Sequence, residues 1–280
     1  QLGKAQAAAD RAVRLFPEER GRWASILVPA LIAVFIGLVL APQLSMVLIG
    51  GAFGWIVAGV LLTRSQMPMA YKEAIRHLRK NEYEKAVKVM DRILKDEPDD
   101  PNHYRFRAEV LRVWGKLERA ARDYRKMTEL APDSAVAFNG LSEVYVQMGD
   151  YTKALEAACT ANELAPNDWV TYYNLGMIED RLNQPEAVVT HLQRALALKA
   201  KEKRHRVLIH FYLARAYNRL GNLEAAQEQV KALKHLPGGL EEWQTILDSN
   251  QADTLRAVLG EDVRAAQALA VGELEPAALE

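Results

Sequence analysis

AVAFNGLSEVYVQMGDYTKALEAACTANELAPND, residues 135–168, decides the fold. Its proline, Pro166, follows Pro132 by 34 residues, and Pro132 follows Pro98 by the same 34. A fixed period of this length is the mark of a solenoid built from one repeated supersecondary unit. Counted back from each proline, Gly115 and Gly149 occupy equivalent turn positions. Ala86, Ala120 and Ala154 occupy equivalent small positions, and Tyr104, Phe138 and Tyr172 equivalent aromatic ones. Small residues in a second helix let it approach its neighbour closely, and aromatics fill the space opposite.

Leu141, Tyr145, Gly149, Tyr151, Ala154, Ala161 and Pro166 resemble the pattern of the tetratricopeptide repeat family, whose unit is a pair of antiparallel helices. The resemblance runs from about Met67 to Pro237 and implies an all-α solenoid of about five repeats, beginning near Met67, Pro101, Ala135, Trp169 and Val207. Asn81 stands where the turn glycine is usual, a substitution the left-handed conformation tolerates. The fourth repeat departs further, with Asn183 at its turn, Pro185 two residues on and Val188 in place of alanine, so less regular packing is expected there. The four residues that lengthen the fourth period fall in Lys201–Arg206, read as a basic loop.

The same resemblance implies that the first helix of each repeat lines a concave groove. The register puts Arg105, Phe106 and Arg112 there from the second repeat, and Asn139 from the third. Tyr173, Asn174 and Arg181 follow from the fourth, and Phe211, Tyr212, Arg215 and Arg219 from the fifth. Guanidinium forks, a backbone-binding amide and aromatic faces suit a peptide, preferably one with carboxylates. Alternatively, the arginines pair with neighbours such as Glu109 and Asp180 and serve the surface. The carboxylate clamp of the chaperone-tail class is matched only by Asn174, with Leu208 and Tyr212 where its last basic pair would fall, so that ligand is not expected.

Catalysis calls for convergent polar groups, and none is legible. The six histidines form no His-Glu-x-x-His pair, and His205 and His210 are five apart, off one helical face. The single cysteine, Cys159, can support neither a disulfide framework nor a cysteine-based metal cluster. No enzyme activity, cofactor or metal is expected. With 36 basic and 36 acidic residues there is no bulk charge for nucleic acid.

Charge along the chain is uneven. Residues 1–22 are mildly basic and partly amphipathic. From Trp23 to Thr63 no Asp, Glu, Lys or Arg occurs, 41 residues in all. As one helix this run would be about 60 Å long at ~1.5 Å per residue, twice the hydrocarbon thickness of a bilayer. It is interrupted at Ala41-Pro42-Gln43, where proline disfavours helix. Two spans in a tight transmembrane hairpin, residues 23–63, are the expected solution. Residues 64–80 hold five basic residues against one acidic and the hairpin tip holds none, which places both termini and the repeats on the cytoplasmic side; the family resemblance implies that the membrane is a bacterial plasma membrane. Ala33, Gly37 and Ala41, and Gly50, Gly54 and Ala58, form small-residue stripes that either face each other or seat against another membrane protein or a second copy.

Beyond Pro237 the period is lost. Residues 238–280 carry nine acidic residues against two arginines and read as capping helices, Leu240–Leu259 and Glu261–Val271, with an acidic tail. The expectation is a membrane-anchored scaffold with protein partners, other membrane proteins among them, in contact with the lipid bilayer, without nucleic acid and open to homo-oligomerisation. A receptor for client peptides and a regulatory subunit of a membrane enzyme are the competing readings.

Overall fold

Among the described residues, the first helix of each of five repeats stops at a residue that has swung into the left-handed region, and the chain turns back. These residues are Asn81 (φ 60), Gly115 (φ 75), Gly149 (φ 77), Asn183 (φ 56) and Gly221 (φ 74). Glycine adopts such angles without strain and asparagine nearly so. Two of the first helices start on aspartate caps: the Asp100 carboxylate accepts from the Asn102 amide at 2.8 Å, and Asp168 from the Val170 amide at 3.0 Å.

The computed structural model describes residues 69–249 and 252–279. The expected amphipathic start, the hairpin over 23–63 and its stripes at Ala33, Gly37, Ala41, Gly50, Gly54 and Ala58 lie outside these residues. Among the described residues no helix is long and apolar enough to cross a membrane. They comprise twelve α-helices and no strand: α1 (Met69–Arg79), α2 (Tyr83–Asp96), α3 (Pro101–Val113), α4 (Leu117–Leu130), α5 (Ala135–Met148), α6 (Tyr151–Leu164), α7 (Trp169–Arg181), α8 (Pro185–Ala197), α9 (Lys203–Arg219), α10 (Leu223–Lys234), α11 (Pro237–Leu247) and α12 (Asp253–Val271). Residues 69–90 belong to one compact unit, with Tyr71, Ala74, Val87 and Met90 buried. Residues from Asp91 onward form the second unit.

In that second unit each first helix pairs with the second helix after it, and successive first helices, α3, α5, α7 and α9, also touch one another. They form a continuous inner layer, with the second helices outside. The repeating small position is fully buried in every repeat it reaches there, at Ala120, Ala154, Val188 and Ala226. Two inner-layer glycines admit bulk from the outer layer: a Cβ on Gly140 would lie 2.1 Å from the Tyr124 ring, and one on Gly176 would lie 2.4 Å from the Leu192 side chain.

Three expectations are corrected. The fourth repeat keeps the regular packing: Val188 is fully buried like Ala120 and Ala154, and so are Leu192 and Ala195, because Asn183 takes the turn glycine's conformation and Gly176 makes room for Leu192. The basic stretch is not a loop, since α9 begins at Lys203 and only residues 198–202 connect it to α8. Four extra residues supply about one helical turn, so the inward face is preserved. That turn is clasped by α11, where the Trp243 indole donates to the Arg204 carbonyl at 2.7 Å and a Cβ on Gly239 would fall 2.6 Å from the Lys203 carbonyl oxygen. Finally, the two expected terminal helices divide elsewhere. α11 stops at Leu247, and α12 passes unbroken through Gly260, because its buried positions Leu259, Val263, Ala266 and Leu269 continue on both sides of that glycine.

Candidate functional site: the inner face of repeats two to five

Two aromatic side chains and then two arginines follow one another along the inner face of α9: Phe211, Tyr212, Arg215, Arg219. Helical spacing of three and four sets them over one another, and Arg215 lies with its guanidinium carbon 4.8 Å from the Phe211 ring centre and 5.5 Å from that of Tyr212. Arg181 comes from the end of α7, 5.9 Å from the same tyrosine ring.

All three arginines converge on carboxylates of their own chain. Asp180, 3% exposed, accepts from Arg215 Nε at 3.0 Å, from Arg219 Nη1 at 3.2 Å and from Arg181 Nη1 at 3.4 Å. Asp262, 4% exposed and borne by α12, accepts from Arg181 and, at 3.3 Å, from Arg215. The Tyr212 hydroxyl donates to Asp262 at 2.8 Å, and burial pushes this phenol well above its ordinary pKa, so it keeps the proton it donates. Burial works against the charge of Arg181 and Arg215, but Tyr212 and Asp262 around the first and Asp180 around the second outweigh it and hold both guanidiniums charged.

A second polar cluster lies at the end of α3. Arg112 Nη2 donates to Glu109 at 2.6 Å and its Nη1 faces Glu143 of α5 at 3.6 Å, while the buried Tyr124 hydroxyl donates to Glu109. Burial would raise the Glu109 carboxyl, yet Arg112 and the Tyr124 hydrogen bond bring it below its usual value.

The residues expected to line the groove therefore divide. Phe106, Tyr173, Asn174, Phe211 and Tyr212 are buried, and Asn174 donates to Asn139 at 3.3 Å between neighbouring first helices. Arg105 and Arg112 are half-buried near Glu109. Arg181, Arg215 and Arg219 are gathered as just described. The arginine pairing with Glu109 and Asp180 occurs as the alternative reading has it; what that reading lacked is a third carboxylate, from a helix nearly fifty residues further on. α12 touches α3, α5 and α9, and Arg181 Nη2 donates to its Val258 carbonyl at 3.0 Å. The one sequence signal for this was Asp262 standing among Leu259, Val263 and Ala266 on the apolar face of a helix.

Elsewhere, Glu97, Asp100 and His103 bring ligand atoms within 4.8 Å of one another, but Asp100 is the cap of α3 and His103 is hydrogen bonded to Glu97 at 2.9 Å. Cys159 is exposed on α6.

Comparison with known proteins agrees with this architecture. Two family models, each described as tetratricopeptide repeat, match residues 74–138 and 112–168. The chain is 28% identical over 173 residues to superkiller protein 3 of Schizosaccharomyces pombe, and 34% identical over 108 residues to the protein O-mannosyl-transferase TMTC3 of Homo sapiens. These stretches cover 59% and 37% of this chain but only 12% of either relative. Among solved structures, MamA from Desulfovibrio magneticus RS-1 superposes with a TM-score of 0.54 at 24% identity, over 60% of this chain and 93% of that one. A second MamA crystal structure gives 0.52 at 17%, over 64% and 98%. Residues 74–168 match tetratricopeptide repeats, and the described residues fold as an all-α solenoid.

Proposed function

We propose that the chain is a non-enzymatic scaffold, anchored by the uncharged run at 23–63 and holding its repeats at the cytoplasmic face of a membrane as an accessory or assembly subunit of a larger complex. The observation that carries this is the junction: only five residues separate the end of the 41-residue uncharged run at Thr63 from the repeat helix at Met69. A run of that length is about twice what a single span needs, and the basic residues after it favour the cytoplasmic side. Stacked helical pairs offer extended surfaces for other proteins. Partners are proteins, membrane proteins among them, with the small-residue stripes as the contact in the bilayer and a second copy as one candidate for it.

Topology is tested by labelling. A cysteine placed at Gln43 should react with a membrane-impermeant thiol reagent added to intact cells. Cys159, although exposed on its helix, should react only after the cells are opened. The reverse pattern contradicts the proposed orientation, and release of the protein by high salt or carbonate contradicts the anchor. Co-purification from native membranes in mild detergent, with and without Gly54→Leu, tests the stripe: partners held through the bilayer are lost from the variant while the repeats stay folded.

A further inference from the structure

α12 does more than close the end of the solenoid. An end cap covers the apolar face of the last repeat, and α11 already packs on α9 in that place. α12 runs back along the inner layer instead. Thr254 reaches the Arg112 carbonyl of repeat two at 3.5 Å, Val258 meets Arg181 of repeat four, and Asp262 meets Tyr212 and Arg215 of repeat five. Residues 254, 258 and 262 share one helical face over about 12 Å at ~1.5 Å per residue. Leu259, Val263, Ala266 and Leu269 are buried beside them, while Asp253, Arg256, Ala257, Glu261 and Arg264 face solvent. This is how an amphipathic helix lies in a receptor groove. The helix also starts without a side-chain cap and is joined to α11 only through residues 248–252.

We propose that the inner face of repeats two to five is a helix-binding groove now filled by the chain's own C-terminal helix, and that it accepts in exchange a partner's amphipathic helix bearing one carboxylate on its aliphatic stripe. The inference rests on the protein-binding reading above and adds to it the chemistry of the partner. The groove itself dictates that chemistry. Arg181, Arg215 and Arg219 share two carboxylates, Asp180 from the groove and Asp262 from the helix. An incoming helix without an acid would leave the desolvated Arg181 and Arg215 to share Asp180 with Arg219, which is strongly unfavourable. A basic one would be repelled. An extended segment would turn alternate side chains to opposite faces and could not present the 254, 258, 262 register.

The test uses the full-length protein and a labelled synthetic peptide of residues 253–271. Apparent affinity scales with the fraction of molecules whose groove is open, so Leu259→Ala with Val263→Ala, which weakens the internal helix, should bind the peptide about tenfold or more tightly than the wild type does. The gain should shrink with added salt and vanish when the peptide carries Asp262→Lys. Equal binding of the Asp262→Lys peptide, or no gain in a folded, monodisperse variant, overturns the proposal. If the double variant loses helix content, the same comparison is made with Asp262→Asn in the full chain, which removes no packing volume, and failure to gain binding there overturns it equally. Dimerisation of the variant with exclusion of the peptide would give the groove to a second copy and also overturns it. Partners that still co-purify with a variant blind to the peptide would leave the scaffold reading standing on another face.

Discussion

Asp180 answers for more of the inner face than any other single side chain described. Nearly inaccessible to water, it accepts from the guanidinium groups of Arg181, Arg215 and Arg219, and so joins the end of α7 to two successive turns of α9. Removing one partner of a buried ion pair leaves its opposite uncompensated in a region of low dielectric, which costs about 3–5 kcal/mol. Asp180→Asn, nearly equal in volume, should therefore lower the unfolding free energy by about that amount, whereas Arg219→Gln, at the more accessible edge of the cluster, should cost about 1 kcal/mol or less. Chemical denaturation of the two variants checks the ranking; equal small losses would mean the cluster is a solvated surface rather than a structural joint.

Between elements, glycine and its partner set the spacing. The ring of Tyr124 on α4 occupies the place a Cβ of Gly140 on α5 would take, and the same tyrosine hydroxyl reaches Glu109 on α3. In an exposed helix, Gly→Ala is worth about 1 kcal/mol of stability. Here overpacking against a fully buried ring held at both ends outweighs it, and Gly140→Ala should destabilise by about 1–3 kcal/mol. A rise in Tm for that variant would show that the two helices separate at little cost. Helix pairing was legible in the sequence because it depends on residues close together: the turn positions at Asn81, Gly115 and Gly149 and the alanines at 86, 120 and 154 all act within a few residues. The start of α9 was misplaced because its first turn is held by Trp243 and Gly239, some forty residues distant. The same limit applied to the site. The inner-face arginines followed from the register, but Asp262 reaches Arg181 across 81 residues of chain, and no local pattern announces such a contact.

At the scale of the second compact unit, the inner layer is lined by its own C-terminal segment, with Asn218 donating to the Leu279 carbonyl at 2.6 Å beyond the end of α12. A surface whose cations and aromatics are satisfied internally resists nonspecific capture and yields only to a ligand that reproduces the displaced contacts. Hydrogen exchange of the full-length protein tests this occupancy most directly. Amides of residues 258–269 should exchange about a hundredfold more slowly than in the isolated peptide 253–271, and Asp262→Arg should abolish that protection while leaving α9 protected. Exchange at free-peptide rates in the wild-type chain, with α7 and α9 still protected, would contradict the account.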